Sequence, residues 1–514
     1  YDARKHRYVY REILCGKNGN RLLRQDLQLL RTRFMKHSGI LLHISSLPSP
    51  YGIGDLGKEA YKFADFLKAS KQKYWQILPL NPPGGDNSPY EAFSAFAGNP
   101  YFIDLDALYE QGLISDKYKS LKWKKGNVDY QSVYENKGLV LKEIVDHLDK
   151  IDKADYNGFC LDNKFWLDDY ALFMALYEHF DKIAWNKWPA DLVLRKPEAL
   201  EEYQNKLSKE VTYWKVVQYL FWTQWFKLKN YVNSLGLEII GDLPIYVSYN
   251  SADVWANSQN FLLDENKNPK RVAGVPPDIY SVKGQLWGNP IYDWEYMKKE
   301  GFSWWLNRLI FAQKCFDHAR IDHFIGFVNY YSIPAGAVDA TVGVWEKAYG
   351  KELFEKFKQL LPNAKILAED LGNKTDEVVK LLEYTGYPGM VLLQNYYDSP
   401  DVDKFLDSLK NNNIVLYTGT HDNNTIKGWY KSISKSEKKA FKKISGCKFD
   451  IVKAMIRMGV NSNADKFIVP IQDYLGLDEK GRMNVPGTTG HWTWRLKNDN
   501  YIKKYKKIAR LTSN

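Results

Sequence analysis

Cysteine is scarce in this chain, and long apolar runs are absent. Four of the 514 residues are cysteines, and Cys15, Cys160, Cys315 and Cys447 lie far apart without a CxxC pair. This spacing argues against structural zinc and a disulfide framework, and it favours a reducing compartment such as the cytoplasm. No apolar run approaches the roughly 18 residues that a membrane span needs. The start of the chain is too charged for the apolar core of a signal peptide.

The positive charge of the chain is concentrated at its two ends. The net charge of +11 would by itself suggest a nucleic-acid partner. Residues 1–34 contain nine Lys or Arg and three Asp or Glu, and residues 501–514 contain five Lys or Arg and no acid. The two ends therefore carry the whole net charge, and residues 35–500 are formally neutral. Because a nucleic-acid enzyme needs positive charge around its site, we expect no nucleic-acid partner.

The first 34 residues also differ in pattern from the rest of the chain. They are basic and lack a clear apolar period, whereas Met35 opens a well-patterned region. We therefore expect residues 1–34 to be a leader or extension, and residues 35–514 to form the body of the protein. A genuine N-terminal segment is the alternative that the sequence leaves open.

Short apolar runs that end in polar residues recur along the chain. Such runs are typical of strands buried on both faces, as in a parallel sheet. They lie at Gly39–Ser45, Tyr74–Leu80, Leu237–Leu243, Ala319–His323, Lys365–Asp370, Gly389–Gln394, Asn413–Thr418 and Lys466–Gln472. Helical patterns separate most of them, for example at Lys58–Lys71 and Lys374–Tyr384. Eight strands that alternate with helices predict an α/β fold, a (β/α)₈ TIM barrel.

The spacing between these runs is uneven. Residues from about 100 to 234 separate the second and third runs and include the aromatic, helical stretch Tyr213–Leu228. Residues from about 250 to 299 separate the third and fourth runs and are rich in Gly, Pro, Trp and Asn. We interpret the first segment as an inserted helical subdomain and the second as a loop-rich insertion. Loops at the carboxyl ends of barrel strands are where barrel enzymes keep their sites.

An arginine and an aspartate share one face of the fourth predicted strand. Arg320 and Asp322 are two residues apart in ARIDH, so both should point into the mouth of the barrel. A guanidinium fixed beside a carboxylate favours its ionised form, which a carboxylate nucleophile needs. A plain buried ion pair would explain the same two residues equally well.

Glu369 ends the fifth predicted strand, in ILAED. Its apolar neighbours and the adjacent Asp370 should both raise the pKa of Glu369. A raised carboxyl pKa suits a general acid that protonates a leaving glycosidic oxygen. A salt-bridged strand end is the alternative.

A third carboxylate, Asp422, lies in the polar loop TGTHDNNT after the seventh predicted strand. Every side chain of this loop except Gly419 can form hydrogen bonds, which suits a polyhydroxylated ligand. An Asx turn or a helix N-cap would also use such residues. Together, the three carboxylates match retaining glycosidic chemistry, which needs one ionised carboxylate, one protonated carboxyl group and groups that hold ring hydroxyls.

Several longer stretches resemble one family. They read SPYGIGDLG, SPYEAFSAFAGNP, GDLPIYV, VPPDIYSVKGQLWGNPIYDW, RIDHFIGF, LAEDLG, TGTHDNNT, and QDYLGL followed by RMNVPGT. In this order, over nearly all of Gly39–Arg495, the sequence resembles the amylomaltase, or plant-type disproportionating enzyme, family of the α-amylase superfamily. The resemblance implies a 4-α-glucanotransferase that needs no cofactor or metal. Such an enzyme cleaves an α-1,4-glucan and transfers a segment to the 4-hydroxyl of glucose or of another glucan.

The resemblance also implies a role for each site residue. It makes Asp322 the nucleophile, Glu369 the acid and base, and Asp422 the residue that stabilises the transition state. The substrate-binding residues that it implies are Tyr90, Asp278, Trp287, Asn289, Arg320, His421 and Asn484. The segment Val275–Trp294 resembles the mobile loop of the family beside the acceptor.

One position departs from the family pattern, because Ile325 follows RIDHF where an arginine is expected. We expect this change to lower efficiency rather than alter the reaction. Two alternative functions stay open. An α-glucan hydrolase would use the same barrel, since the carboxylates alone do not choose between water and sugar. A glycan-binding protein without catalysis would have no need of the three carboxylates.

Overall fold

The computed structural model describes residues 37–277, 281–372, 374–397 and 402–513. Residues 1–34, for which the sequence predicts a leader, lie outside the described residues. Within these ranges, no helix combines the length and the apolar character that crossing a membrane requires.

A parallel sheet of eight strands forms the centre of the protein. The strands of the structure are His37–Leu41 (β1), Tyr74–Gln76 (β2), Glu238–Leu243 (β3), Arg271–Val275 (β4), Gln285–Pro290 (β5), His318–Ile321 (β6), Asn329–Pro334 (β7), Val344–Lys347 (β8), Ile366–Ala368 (β9), Gly389–Leu392 (β10), Ile414–Tyr417 (β11) and Lys466–Pro470 (β12). The central sheet has the order β10-β11-β12-β1-β2-β3-β6-β9. Across β9 and β10 the amide of Ala368 donates to the carbonyl of Pro388 at 2.9 Å. The sheet therefore closes, and the predicted barrel is confirmed.

Helices surround this barrel and fill the long connections. The α-helices are Lys58–Ala69 (α1), Leu105–Glu110 (α2), Tyr130–Lys142 (α3), Lys153–Asp162 (α4), Lys164–His179 (α5), Ala190–Val193 (α6), Pro197–Lys206 (α7), Ser208–Ser234 (α8), Ala252–Ala256 (α9), Trp294–Glu300 (α10), Ser303–Cys315 (α11), Gly350–Leu360 (α12), Asp376–Thr385 (α13), Val402–Ser408 (α14), Ile426–Ser432 (α15), Lys435–Ser445 (α16), Ile451–Val460 (α17), Ile471–Leu475 (α18) and Tyr505–Thr512 (α19). Helix α1 packs on β2, α8 and α11 pack on β3, and α17 packs on β12. Helix α8 also packs along α5, so it joins the barrel wall to the helices of the long β2–β3 connection.

The inside of the barrel is filled by side chains from alternate strand positions. The apolar members are Leu41, Tyr74, Ile240, Leu367, Met390, Leu392, Val415, Tyr417 and Ile468. Strand β6 contributes Arg320 at this level, since Arg320 pairs in register with Asp242 of β3 and Leu367 of β9. A buried cation therefore occupies a place that an aliphatic side chain fills on the neighbouring strand β9.

A second, antiparallel sheet has the order β5-β4-β7-β8, and the sequence did not predict it. Strands β4 and β5 lie in the segment for which the sequence predicts loops, while β7 and β8 follow β6 in the chain. Gly274 belongs to β4 and pairs with β5 on one side and β7 on the other. A Cβ atom at Gly274 would lie 2.2 Å from the carbonyl oxygen of Gln285. The close approach of β5 to β4 thus depends on Gly274. In a sequence, a glycine usually indicates a loop.

A buried lysine connects helix α3 to the connections that follow β1 and β2. The Nζ atom of Lys137 donates to the carbonyl oxygens of Tyr101 at 2.7 Å and Ile103 at 3.1 Å, and lies 4.0 Å from Asp55. Burial lowers the pKa of Lys137, while Asp55 raises it. The polar groups around this ammonium compensate for its removal from water.

We expect Lys137→Met to lower the free energy of unfolding by about 3–5 kcal/mol, because it leaves the buried Asp55 without its cation and two carbonyl oxygens without their donor. Urea denaturation followed by tryptophan fluorescence measures this change. The matched control is Lys142→Met on the exposed face of the same helix, which should change the free energy by no more than about 0.5 kcal/mol. Equal effects of the two substitutions would contradict the expectation.

Candidate active site

Acidic side chains meet at the carboxyl ends of the barrel strands. Asp242 lies near the end of β3, Asp322 follows β6 directly, Glu369 follows β9 directly, and Asp422 belongs to the loop after β11. Since all eight strands are parallel, these ends share one face of the barrel. This is the face where barrel enzymes keep their sites.

Arg320 lies between two carboxylates. Its Nη2 atom is 2.8 Å from Asp322 Oδ1, and its Nη1 atom is 2.6 Å from Asp242 Oδ1. The hydroxyl of Tyr90 donates to the other oxygen of Asp242 at 2.7 Å. Burial lowers the pKa of Arg320, but Asp242 and Asp322 outweigh burial and raise it above its ordinary value. The side chain of Asp322 is 29% exposed, whereas that of Arg320 is buried. A ligand can therefore reach the Asp322 carboxylate while Arg320 holds it in place.

Glu369 has a different environment. Its Oε2 atom accepts from the backbone amide of His323 at 2.8 Å, and its Oε1 atom accepts from that of Leu371 at 2.8 Å. Burial and the negative charge of Asp322 raise the pKa of Glu369, Arg320 and the two backbone amides lower it, and the net result is a pKa of about 7. Near neutral pH this carboxyl group can therefore both give and take a proton.

The carboxylate that raises the pKa of Glu369 is Asp322, which directly follows the neighbouring strand β6. The sequence predicts a contribution from the adjacent Asp370. In the structure Asp370 forms an ion pair with Lys374 and accepts from the amide of Met390. The acid that acts on Glu369 is Asp322, because the register of β6 and β9 sets these two residues side by side.

This register determines the spacing of Asp322 and Glu369. Ile321 pairs with Ala368, and the amide of Glu369 donates to the carbonyl of Ile321 at 2.9 Å. The next residues thus extend from adjacent strands, which lie roughly 4.8 Å apart. Two carboxyl groups held in this way can adopt the separation of roughly 5–5.5 Å that retaining enzymes use.

A left-handed turn at His323 directs its amide toward Glu369. His323 has φ of 53°, which is uncommon for a residue with a side chain and costs conformational energy. Burial lowers the pKa of His323 more than Asp322 raises it, and the net pKa is about 4, so the imidazole is neutral at neutral pH. The His323 ring packs edge to face against the Trp287 ring, with centroids 5.0 Å apart.

Asp422 is held by the chain that follows α18. Its Oδ1 atom accepts from Asn484 Nδ2 at 2.6 Å, and its Oδ2 atom lies 3.3 Å from His421 Nε2. Arg482 donates to the carbonyl of Asp422 at 2.6 Å. The side chain of Asp422 is 40% exposed, so the loop that carries it presents a fixed carboxylate to the barrel mouth.

Aromatic rings line the same face. The rings of Tyr90 and His421 are stacked with centroids 5.2 Å apart, and Trp492 lies 5.7 Å from each. The side chain of Asn289 donates to the carbonyl of Val247 at 3.0 Å. Asp278, also predicted from the sequence, lies outside the described residues.

Asp242, Arg482, Trp492 and two backbone amides contribute to the site but were missed at the sequence level. Asp242 follows the apolar run of the third predicted strand, and its position at a strand end was the signal that could have found it. No local pattern indicates Arg482, since its contact with the Asp422 carbonyl joins two loops that are far apart in the chain. The backbone amides that hold Glu369 cannot be read from residue types at all. Ile325, where the sequence departs from the family pattern, is buried in the turn Phe324–Phe327.

The arrangement brings together an ion-paired carboxylate, a carboxyl group with a pKa near 7 and a third carboxylate held by amide and imidazole groups. This combination fits cleavage and transfer at a glycosidic bond. Among the described residues, no group of three or more His, Cys, Asp or Glu side chains is arranged to hold a metal ion.

A family model described as 4-alpha-glucanotransferase matches residues 42–501. The 4-alpha-glucanotransferase of Streptococcus pneumoniae serotype 4 is 46% identical over 473 residues, which cover 90% of this chain and 94% of that protein. The 4-alpha-glucanotransferase of Thermus thermophilus is 43% identical over 472 residues, which cover 89% of this chain and 94% of that protein.

A solved structure gives the same result. The amylomaltase from Streptococcus agalactiae, in complex with acarbose, matches with a TM-score of 0.89 and 39% identity, covering 93% of this chain and 99% of that one. The family model spans every strand from β2 to β12. By sequence and by fold, this chain belongs to the 4-α-glucanotransferase family.

Proposed function

We propose that this 4-α-glucanotransferase works by a retaining double displacement, with Asp322 as nucleophile and Glu369 as general acid and base. The observation that carries the proposal is the unlike environment of two carboxyl groups on adjacent strands. Asp322 is ion-paired with Arg320, whereas burial and the charge of Asp322 raise the pKa of Glu369 to about 7. Environments that differ in this way allow two chemically similar groups to take different roles.

In the first displacement, Glu369 gives its proton to the glycosidic oxygen while Asp322 attacks the anomeric carbon. The bond between that carbon and the glycosidic oxygen breaks, and the shortened glucan leaves with a new hydroxyl group. The glycosyl segment stays attached to Asp322 through an ester bond. Asp422 holds ring hydroxyls as positive charge develops on the sugar, and Asn484 and His421 keep its carboxylate in place.

The second displacement reverses these steps with a new sugar. Glu369, now ionised, takes the proton from the 4-hydroxyl of the acceptor. The acceptor oxygen attacks the anomeric carbon, and Asp322 leaves as a carboxylate. Two inversions restore the α configuration, and each proton transfer contributes roughly 10²–10⁴-fold to the rate.

The substrates that we propose are α-1,4-glucans and maltooligosaccharides as donors, with glucose or another glucan as acceptor. Tyr90, Trp287, Asn289 and the predicted Asp278 would bind the sugars, and the segment from 275 to 294 would exclude water over the ester. We also propose a cytoplasmic location, which is supported by the free thiols of the described cysteines at 160, 315 and 447.

Maltotriose distinguishes transfer from hydrolysis. We expect the purified protein to convert it into a ladder of longer maltooligosaccharides plus glucose, with a nearly constant total of reducing ends. Chromatography of the products and a reducing-sugar assay measure both quantities. Reducing ends that rise steadily, with glucose and maltose as the products, would identify a hydrolase on the same barrel.

Replacing the nucleophile tests the central step. Asp322→Asn should lower kcat for maltotriose on the order of 10³-fold or more, because the amide cannot form the ester. Asp407→Asn, on the exposed surface, is the matched control and should retain full activity. Near-normal transfer by Asp322→Asn would refute its role.

The pH dependence of the reaction tests Glu369. Because this carboxyl group must be protonated for the first displacement, kcat/KM for maltotriose should fall as the pH rises through about 7. In Glu369→Gln the rate should be about 10²–10⁴-fold lower, and this decline should vanish. Initial rates across neutral pH measure both effects. A decline that persists in Glu369→Gln would assign the titration to another group.

A further inference from the structure

A second groove lies on the outer surface of the helical connection between β2 and β3. It is bounded by helices α4, α8 and α11 and has a volume of about 440 Å³, within the roughly 300–1,000 Å³ of small-molecule sites. We name it the outer groove. Its aromatic residues are Phe159, Tyr219, Trp222, Phe226 and Phe311. None of the described residues that line it belongs to the site around Asp322.

The groove lies where helices α4 and α8 contact each other only in part. Tyr219, Trp222 and Phe226 recur at helical spacing and so form one face of α8. Helix α4 faces them with the small residues Ala154 and Gly158, and none of the side chains of α4 is fully buried. A Cβ atom added at Gly158 would meet open space. The aromatic face of α8 is therefore covered only in part: Trp222 is buried and Tyr219 packs against Phe159 with ring centroids 5.7 Å apart, while Phe226 stays partly exposed.

Several rings of the groove remain partly exposed. The Trp222 ring lies 5.7 Å from Phe226 and 5.1 Å from Phe311, and both phenylalanines are only half-buried. The buried Nε1 atom of Trp222 has no hydrogen-bond partner among the described residues. The apolar surface continues past Phe311 to Phe165, whose side chain is 49% exposed and whose ring lies 6.4 Å away. A surface of this kind suits a ligand with flat apolar faces.

The polar rim of the groove is acidic. Asp155 and Asp162 line it together with the hydroxyl of Thr223, and Lys314 lies over the Phe226 ring at 5.8 Å. Carboxylates and a hydroxyl accept hydrogen bonds from hydroxyl groups, while the excess of acid repels a polyanion. A neutral ligand that carries hydroxyl groups around apolar ring faces fits both properties.

We propose that the outer groove binds a stretch of α-1,4-glucan as a second holding point for long substrates. The proposal rests on the transferase function, since the substrate of the enzyme supplies the ligand. A polymer held in the groove has a raised effective concentration at the active site. The groove should therefore affect reactions of long glucans and leave those of maltotriose unchanged.

The test uses one substitution that fills the groove and one that removes a ring from it. Gly158→Leu places a side chain in the open space above the rings, and Phe159→Ala removes one ring from a helix without fully buried side chains. Gly138→Leu in α3 is the matched control, since a Cβ there also meets open space. The first two variants should raise the amylose concentration at half-maximal rate about threefold to tenfold. Kinetics on maltotriose, and both substrates in Gly138→Leu, should be unchanged.

Each other outcome overturns the proposal. Unchanged amylose kinetics in Gly158→Leu and Phe159→Ala would show that the groove does not bind glucan. An equal loss on maltotriose would place the effect in the active site or in folding. Concentration-dependent sedimentation that Gly158→Leu abolishes, with amylose kinetics intact, would assign the groove to a second copy of the chain. A wild-type protein without transfer from maltotriose would instead refute the proposed function, and native gels containing amylose would still test the groove.

Discussion

The arrangement of the site depends on the two ion pairs of the buried Arg320 guanidinium. The guanidinium occupies the barrel interior at a level where the neighbouring strand β9 contributes an aliphatic side chain. An isolated charge there would be several kcal/mol unfavourable. Asp242 on one side and Asp322 on the other compensate that cost. In the mechanism that we propose, the same contacts fix the orientation of Asp322 before any sugar binds, which reduces the reorganisation that the reaction requires.

The backbone then sets the chemistry of Glu369. The parallel register of β6 and β9 places this carboxyl group beside Asp322, and burial together with that neighbouring charge raises its pKa. The strained turn at His323 supplies one of the two amides that hold it. A functional site that stores local strain needs a rigid surrounding, and a closed barrel with a packed interior provides it.

Elements outside the barrel add residues to the face that carries the three carboxylates. The antiparallel sheet brings Trp287 against His323, and the segment after α18 brings Asn484 to Asp422. The outer groove also lies outside the site, between helix α4 of the β2–β3 connection and helices α8 and α11, which pack on β3 of the barrel. Barrel folds host different substrates through such additions, while the chemistry stays at the strand ends.

The sequence by itself determined the barrel, because strands buried on both faces must be apolar and their ends must turn polar. For the same reason it located Arg320, Asp322, Glu369 and Asp422 at strand ends. The tertiary structure alone decided which acid acts on Glu369, since Asp370 is adjacent in the chain while Asp322 is adjacent in the sheet. It also decided the antiparallel sheet and the contact of Arg482 with Asp422. Those features come from pairing between residues far apart in the chain, and no local pattern of residue types records such pairing.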